Sequence, residues 1–311
     1  MGKIAFVFPG QGSQAVGMGK AAFDMSDVAQ RVFKEADAAL RFSLSTLCFE
    51  GPDEDLKLTA NTQPAILTTS IALFRALGEK PDVVAGHSLG EYSANVAAET
   101  VSFERAVKLV RVRGSYMQEA VPVGKGGMAA VMGGDLAAIE EALRRAPGVV
   151  EPVNYNSPGQ LVIAGDAEAV KAAAPALQAL GCKVIPLAVS APFHSSLMRP
   201  AEDRLTPHLK EAPFSNASVP VYINVDASPQ TDGAALCDAL IRQVSRPVRW
   251  QETVTRMVQD GVTLCVEIGS GKVLAGLSKR IDKTLKCVNV QTPADFDAAR
   301  AAIAEARAIG Q

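Results

Sequence analysis

Short apolar runs alternate along the chain with longer stretches in which apolar residues return every three or four positions. The runs at residues 4–8, 83–85, 219–225, 264–268 and 287–290 have strand length, and a helical pattern such as that of residues 21–40 lies between them. Strands separated by helical crossovers imply an α/β class with a mainly parallel sheet. Residues 124–189 follow another order. A strand at 128–132, a helix at 136–146, strands at 149–154 and 161–164, a helix at 167–180 and a strand at 183–189 read βαββαβ. That is the split-βαβ, ferredoxin-like arrangement. Residues 124–189 are therefore expected to form a small subdomain inserted into an α/β core made of 1–123 and 190–311, with Gly124-Lys125-Gly126-Gly127 at the boundary. An alanine-rich closing helix with a frayed end is expected over 296–309.

Composition narrows the partners. The 311 residues are 48% hydrophobic and 21% charged, enough to bury one large core or two smaller ones. With 31 Lys and Arg against 33 Asp and Glu, the net charge of -2 excludes a global attraction to nucleic acid. Five widely spaced cysteines, Cys48, Cys182, Cys237, Cys265 and Cys287, include no CxxC pair. They read as reduced core residues of a cytoplasmic protein. The apolar run that ends at Pro9 is too brief for a signal peptide or a membrane span and reads as a first strand.

Chemistry is concentrated in a few segments. Gly86-His87-Ser88-Leu89-Gly90 follows an apolar run and has the shape of a nucleophile elbow, a sharp strand-to-helix turn that exposes its central serine. The alternative is a glycine-rich turn whose serine merely caps a helix. A serine nucleophile needs a base, and the chain has three histidines. His87 is adjacent to Ser88 and its ring diverges from it; His208 lies in a polar, exposed stretch. His194, in Ala191-Pro192-Phe193-His194-Ser195, remains as the base, against the alternative of a structural loop histidine. The loop Pro9-Gly10-Gln11-Gly12-Ser13-Gln14 follows the first strand and would lie beside the elbow. Its partial dinucleotide fingerprint lacks the second strand that such a site requires, and Gly269-Ser270-Gly271-Lys272-Val273 lacks the residues of a Walker loop.

Arg113 points to the substrate. The helix starting near Ser102 carries Phe103, Ala106, Val107, Leu109, Val110 and Met117 on its apolar side, and Arg113 falls on that stripe. Arg105, Lys108 and Arg111 lie off it and are expected to be solvated. A guanidinium on an apolar face requires an anion, either a substrate carboxylate or an internal Asp or Glu.

With Ser88 in GHSLGEYSA, Gln11 in FPGQGSQ, Arg113 in RVRG and His194 in APFHS, the chain resembles the malonyl-CoA:acyl carrier protein transacylases nearly end to end. The NTQPAIL and VNYNSPGQLVIAG segments and Arg242-Gln243 extend the resemblance. It implies an α/β-hydrolase-like core with a ferredoxin-like subdomain, and malonyl transfer through a malonyl-Ser88 ester with His194 as base. It also implies an oxyanion hole from the backbone N–H groups of Gln11 and Leu89, and a main-chain carbonyl near Gln243 that orients His194 in a Ser–His dyad. Arg113 would pair with the malonyl carboxylate, Phe193 would narrow the space around the methylene, and Gln63, Met117 and Asn156 would complete the substrate-binding set. No bound cofactor or metal is implied; the partners are malonyl-CoA and the phosphopantetheine arm of an acyl carrier protein, and the enzyme is expected to be a monomer. Lys272, Lys279, Arg280, Lys283 and Lys286 against Asp282 give a local charge of +4, either a docking patch for an acidic carrier or an ordinary solvated face. Another serine acyltransferase or esterase, a polyketide-type carrier, and a non-catalytic carrier-binding protein stand as the alternatives.

Overall fold

The computed structural model describes residues 2–189 and 191–308; of the expected features, the end of the closing helix at Ile309 and core residues 1, 190, 310 and 311 lie outside the described residues. The described strands are β1 (Lys3–Phe8), β2 (Val83–Gly86), β3 (Gly126–Met132), β4 (Val150–Ser157), β5 (Gln160–Asp166), β6 (Lys183–Pro186), β7 (Val221–Ile223), β8 (Ser228–Gln230), β9 (Val262–Ile268) and β10 (Lys286–Val290). A six-stranded sheet runs β10-β9-β1-β2-β7-β8, parallel except for the β7–β8 pair. Central β1 is apolar and buried from Ile4 to Phe8 because both its faces are covered there. Phe6 and Phe8 belong to one core with Phe33, Ile66 and Leu67, while Ala5 and Val7 face the other with Trp250, Val254 and Met257.

Strand order reverses at β1, which has β2 on one side and β9 on the other. The loops at the carboxyl ends of these strands therefore open around a crevice, the usual binding position in such sheets. The first loop, the elbow, Asn224 and the Gly269 turn all leave the sheet on this edge.

The second sheet runs β4-β5-β3-β6 and is antiparallel. With helices Leu136–Arg144 and Ala167–Ala179 it encloses its own core of Val131, Ile139, Leu143, Ile163 and Leu177. It is stitched to the larger body along β4: Tyr155 N–H donates to the Val248 carbonyl (2.9 Å) and Val248 N–H to that of Val153 (2.9 Å). Val248 lies five residues beyond Gln243, so the stitch borders the crevice.

Two elements differ from expectation. The helical stretch at 21–40 is two helices, Lys20–Met25 and Asp27–Leu40, broken at Ser26, whose extended backbone lets its hydroxyl accept from Ala29 N–H (3.3 Å). The apolar run 219–225 yields only the short β7, because the chain turns back through Ala227 (φ 49°) into β8.

Candidate active site

Both elbow glycines are required by backbone contact. A Cβ on Gly86 would lie 1.9 Å from the Gly90 carbonyl carbon, and one on Gly90 would lie 2.0 Å from the Phe8 carbonyl oxygen. No side-chain rotation relieves such contacts. The turn holds Ser88 at φ 52°, a left-handed conformation uncommon outside glycine and characteristic of strained functional positions. Helix Gly90–Ala97 follows at once, so its positive end lies beside the serine.

Ser88 Oγ lies 2.7 Å from His194 Nε2, and His194 Nδ1 lies 2.8 Å from the main-chain carbonyl of Gln243. A carbonyl only accepts, so Nδ1 carries the ring proton and Nε2 is left to accept from the serine hydroxyl. His194 is itself left-handed (φ 65°) and 3% exposed. Burial, then the nearby Arg113 charge, lower its pKa to about 3, so the ring is a neutral base.

Arg113 is 1% exposed and lies over the Tyr92 ring at 5.4 Å. Its helix, Phe103–Glu119, approaches helix Thr59–Leu77 closely at Gly114, where a Cβ would meet the Thr59 carbonyl oxygen at 2.6 Å. This approach brings the guanidinium onto three oxygens: Nη1 donates to Gln63 Oε1 (2.8 Å), and Nη2 to Gln243 Oε1 (2.9 Å) and Ser88 Oγ (3.3 Å). All three are neutral. Among the described residues Arg113 forms no ion pair, so the alternative of an internal carboxylate partner is not what the structure contains. A buried fork held by amides beside the serine is a receptor for an anion.

The other expected site residues divide into those at the serine and those supporting it. Gln11 sits one residue beyond Gly10, which packs against the His87 carbonyl so closely that a Cβ would fall 2.5 Å from it. Neither Gln11 N–H nor Leu89 N–H donates to a backbone acceptor among the described residues. Gln63 Nε2 lies 3.9 Å from Met117 Sδ, so Met117 steadies the amide that holds Arg113. Phe193 is buried directly before His194. Asn156 Oδ1 accepts from His87 Nε2 (2.9 Å), which engages that oxygen with the elbow and ties the small sheet to it. His208 is exposed and contacts Tyr116 (3.0 Å to its hydroxyl). Arg111 corrects the expectation of a solvated side chain: it donates to the Ala60 carbonyl (3.0 Å) and to Asn61 Oδ1, and stacks on Phe42 at 4.9 Å.

The basic residues of 272–286 are spread along and beyond one helix. Lys272 precedes helix Val273–Ile281 next to the first loop, and Lys279 and Arg280 lie about 10 Å further along its axis. Arg280 Nη1 donates to the neutral Gln160 amide (3.0 Å) and keeps its charge, whereas Lys286 pairs with Glu305 (2.5 Å), which offsets one positive charge of the segment.

Two supporting residues were not singled out from sequence. Asn224 Oδ1 accepts from Ser88 N–H (2.7 Å) while its Nδ2 donates to the Gly86 carbonyl (2.7 Å). An asparagine interrupting the apolar run 219–225 was the available signal. Glu91 Oε2 accepts from Asn224 N–H (2.9 Å) and Gln243 Nε2 (2.8 Å). Burial pushes its carboxyl up to about 7, against downward pulls from those two donors, Arg113 and Arg242. Helix Gly90–Ala97 is buried on every side, so periodicity offered no face on which an acid would stand out.

Residues 5–302 match the acyl transferase domain family. The chain is 47% identical over 306 residues to the malonyl CoA-acyl carrier protein transacylase of Bacillus subtilis, covering 96% of each. It is 49% identical over 306 residues to that of Salmonella typhimurium, covering 96% of this chain and 99% of the relative. An acyl carrier protein S-malonyltransferase structure from Vibrio cholerae superposes with a TM-score of 0.93 at 48% identity, over 96% of this chain and 99% of that one. A malonyl-transacylase in complex with a type II PKS acyl-carrier protein superposes with a TM-score of 0.93 at 44% identity, over 96% and 98%.

Proposed function

We propose, from the premise that the chain belongs to the malonyl CoA-acyl carrier protein transacylases of the acyl transferase domain family, that Ser88 and His194 are the dyad through which it works. The chain is an acyltransferase that moves a malonyl group from malonyl-CoA to acyl carrier protein. In the first half-reaction Ser88 Oγ attacks the thioester carbonyl as its proton passes to His194 Nε2. The oxyanion is held by Gln11 and Leu89 N–H groups, each contributing about 10²–10³ in rate. Collapse breaks the C–S bond, His194 returns the proton to the departing CoA sulfur, and malonyl-Ser88 remains. In the second half the phosphopantetheine thiol gives its proton to His194 and attacks the ester. The carbonyl is rebuilt, Ser88 leaves with the proton, and the malonyl thioester departs on the carrier. Every step is an acyl or proton transfer within reach of these side chains, so no cofactor takes part.

The observation that carries the reading is the buried Arg113 fork, 3.3 Å from Ser88 Oγ and held by neutral amides. A malonyl group on Ser88 extends its free carboxylate from the ester by a single methylene, which brings it to that fork. Buried Phe193, next to the base in the chain, is assigned to narrowing the space around the methylene on the family resemblance, and Asn156 is tied to the elbow through His87. We place the enzyme in the cytoplasm, supported by five free cysteines, and assign its carrier to fatty-acid synthesis on the end-to-end resemblance. Intact-mass measurement over a panel of acyl-CoAs tests the reading. One malonyl group should add to the parent chain, leave on addition of fatty-acid carrier protein, and fail to add to Ser88→Ala. No adduct on the parent sinks the dyad, and discharge only to a polyketide-type carrier reassigns the partner.

A further inference from the structure

Beneath the elbow, the Gln243 amide bridges two charges that do not touch. Its nitrogen is surrounded by acceptors: Glu91 Oε2 at 2.8 Å, the Ser88 carbonyl at 3.0 Å and Asn224 Oδ1 at 3.4 Å. Three acceptors leave one orientation for the amide, with NH₂ inward and Oε1 toward Arg113 Nη2 (2.9 Å). The shortest of the three contacts is the one to Glu91. Glu91 is 0% exposed, and its Oε1 has no partner among the described residues. Charged neighbours on other elements are Arg113, from helix Phe103–Glu119, and Arg242, which is engaged with Asp226 (2.8 Å) and Asp238 (2.6 Å).

We propose that Glu91 is a positioning residue for malonyl selection: by accepting from Gln243 Nε2 it fixes that amide with its oxygen against Arg113, so that Gln63 and Gln243 hold the guanidinium fork toward the acyl group on Ser88. The inference rests on the malonyl-transfer reading. The Gln243 main chain is held separately, by the last turn of helix Gly233–Gln243, so its carbonyl keeps His194 in place when the side chain loosens. Glu91 also accepts from Asn224 N–H, which braces the elbow that every acyl group uses, so its action on the substrate carboxylate is read from the malonyl-to-acetyl ratio. Protonation does not undo this, because Oε1 can take the proton while Oε2 continues to accept.

The test compares malonyl-CoA with acetyl-CoA in Glu91→Leu, Glu91→Asp and Glu91→Gln, after circular dichroism has confirmed each fold. Glu91→Leu removes the acceptor, and the malonyl-to-acetyl ratio of kcat/KM should fall about tenfold. Glu91→Asp shortens the reach by one methylene and should shift the same ratio in the same direction, which keeps the proposal testable if the leucine variant does not fold. Glu91→Gln retains an accepting oxygen and should remain within about threefold of the parent for both substrates. An unchanged malonyl-to-acetyl ratio in the folded leucine or aspartate variant, or a glutamine variant as impaired as leucine, overturns the proposal. Failure of the parent chain to form a malonyl adduct overturns the transfer reading with it.

Discussion

His194 is held neutral by burial and by Arg113, with a pKa depressed to about 3 in the site. A depressed histidine has its working, unprotonated form present above its folded pKa, so activity is lost only as pH falls toward that value. On the proposed reading the malonyl carboxylate offsets the Arg113 charge once bound, so the free enzyme reports the depression most clearly. The pH profile of kcat/KM for malonyl-CoA should lack an acid limb between pH 6 and 7; a limb near 6.5, the ordinary histidine value, that persists in Glu91→Gln would show that His194 titrates as if solvated. At this scale the sequence was legible where residue type conflicted with pattern. Arg113 was visible as a charge on an apolar stripe, and His194 as what remained when two other histidines were set aside. Glu91 and Asn224 were not visible as a pair because each acts through partners far away in sequence, the two standing 133 positions apart.

The elbow shows how one element converts spacing into geometry. Its glycines make contacts that leave no room for a methyl group, so the strand, turn and helix can meet only with Gly86 and Gly90 in place. Gly90→Ala should therefore destabilise the chain by about 3 kcal/mol or more and abolish the malonyl adduct. A denaturation midpoint and adduct yield equal to the parent's would show that the turn is looser than described. Alternation of strand and helix patterns made both sheets readable, including the βαββαβ order that folds as β4-β5-β3-β6. The β7–β8 hairpin was unreadable, since Ala227 adopts its left-handed turn without a glycine or asparagine to announce it.

Across the whole molecule, the crevice lies where the large sheet reverses order, and the small sheet is fastened to its rim by Asn156–His87 and the Val248 stitch. Sequence could enumerate the basic residues of 272–286 but not their directions, which depend on how helix Val273–Ile281 is placed. Its N-terminal side is fixed from the sheet: Glu267 on β9 accepts from Leu274 N–H (3.1 Å) and Ala275 N–H (2.8 Å). Exposed Lys272 is thereby set beside the first loop, next to the crevice, while Lys286 is paired elsewhere. Lys272→Glu should raise the KM for carrier protein several-fold at low salt, leave acylation by malonyl-CoA unchanged, and lose its effect as salt rises. A matching effect from Lys286→Glu would mean that the patch steers as a whole. What unites the site is the unpaired buried arginine aimed at the serine, and its most direct test is Arg113→Ala with malonyl-CoA and acetyl-CoA measured side by side. Malonyl kcat/KM should fall about 10²–10³-fold, as expected for a desolvated charge pair that loses one partner, while acetyl transfer holds or improves; equal losses for both substrates would contradict the account.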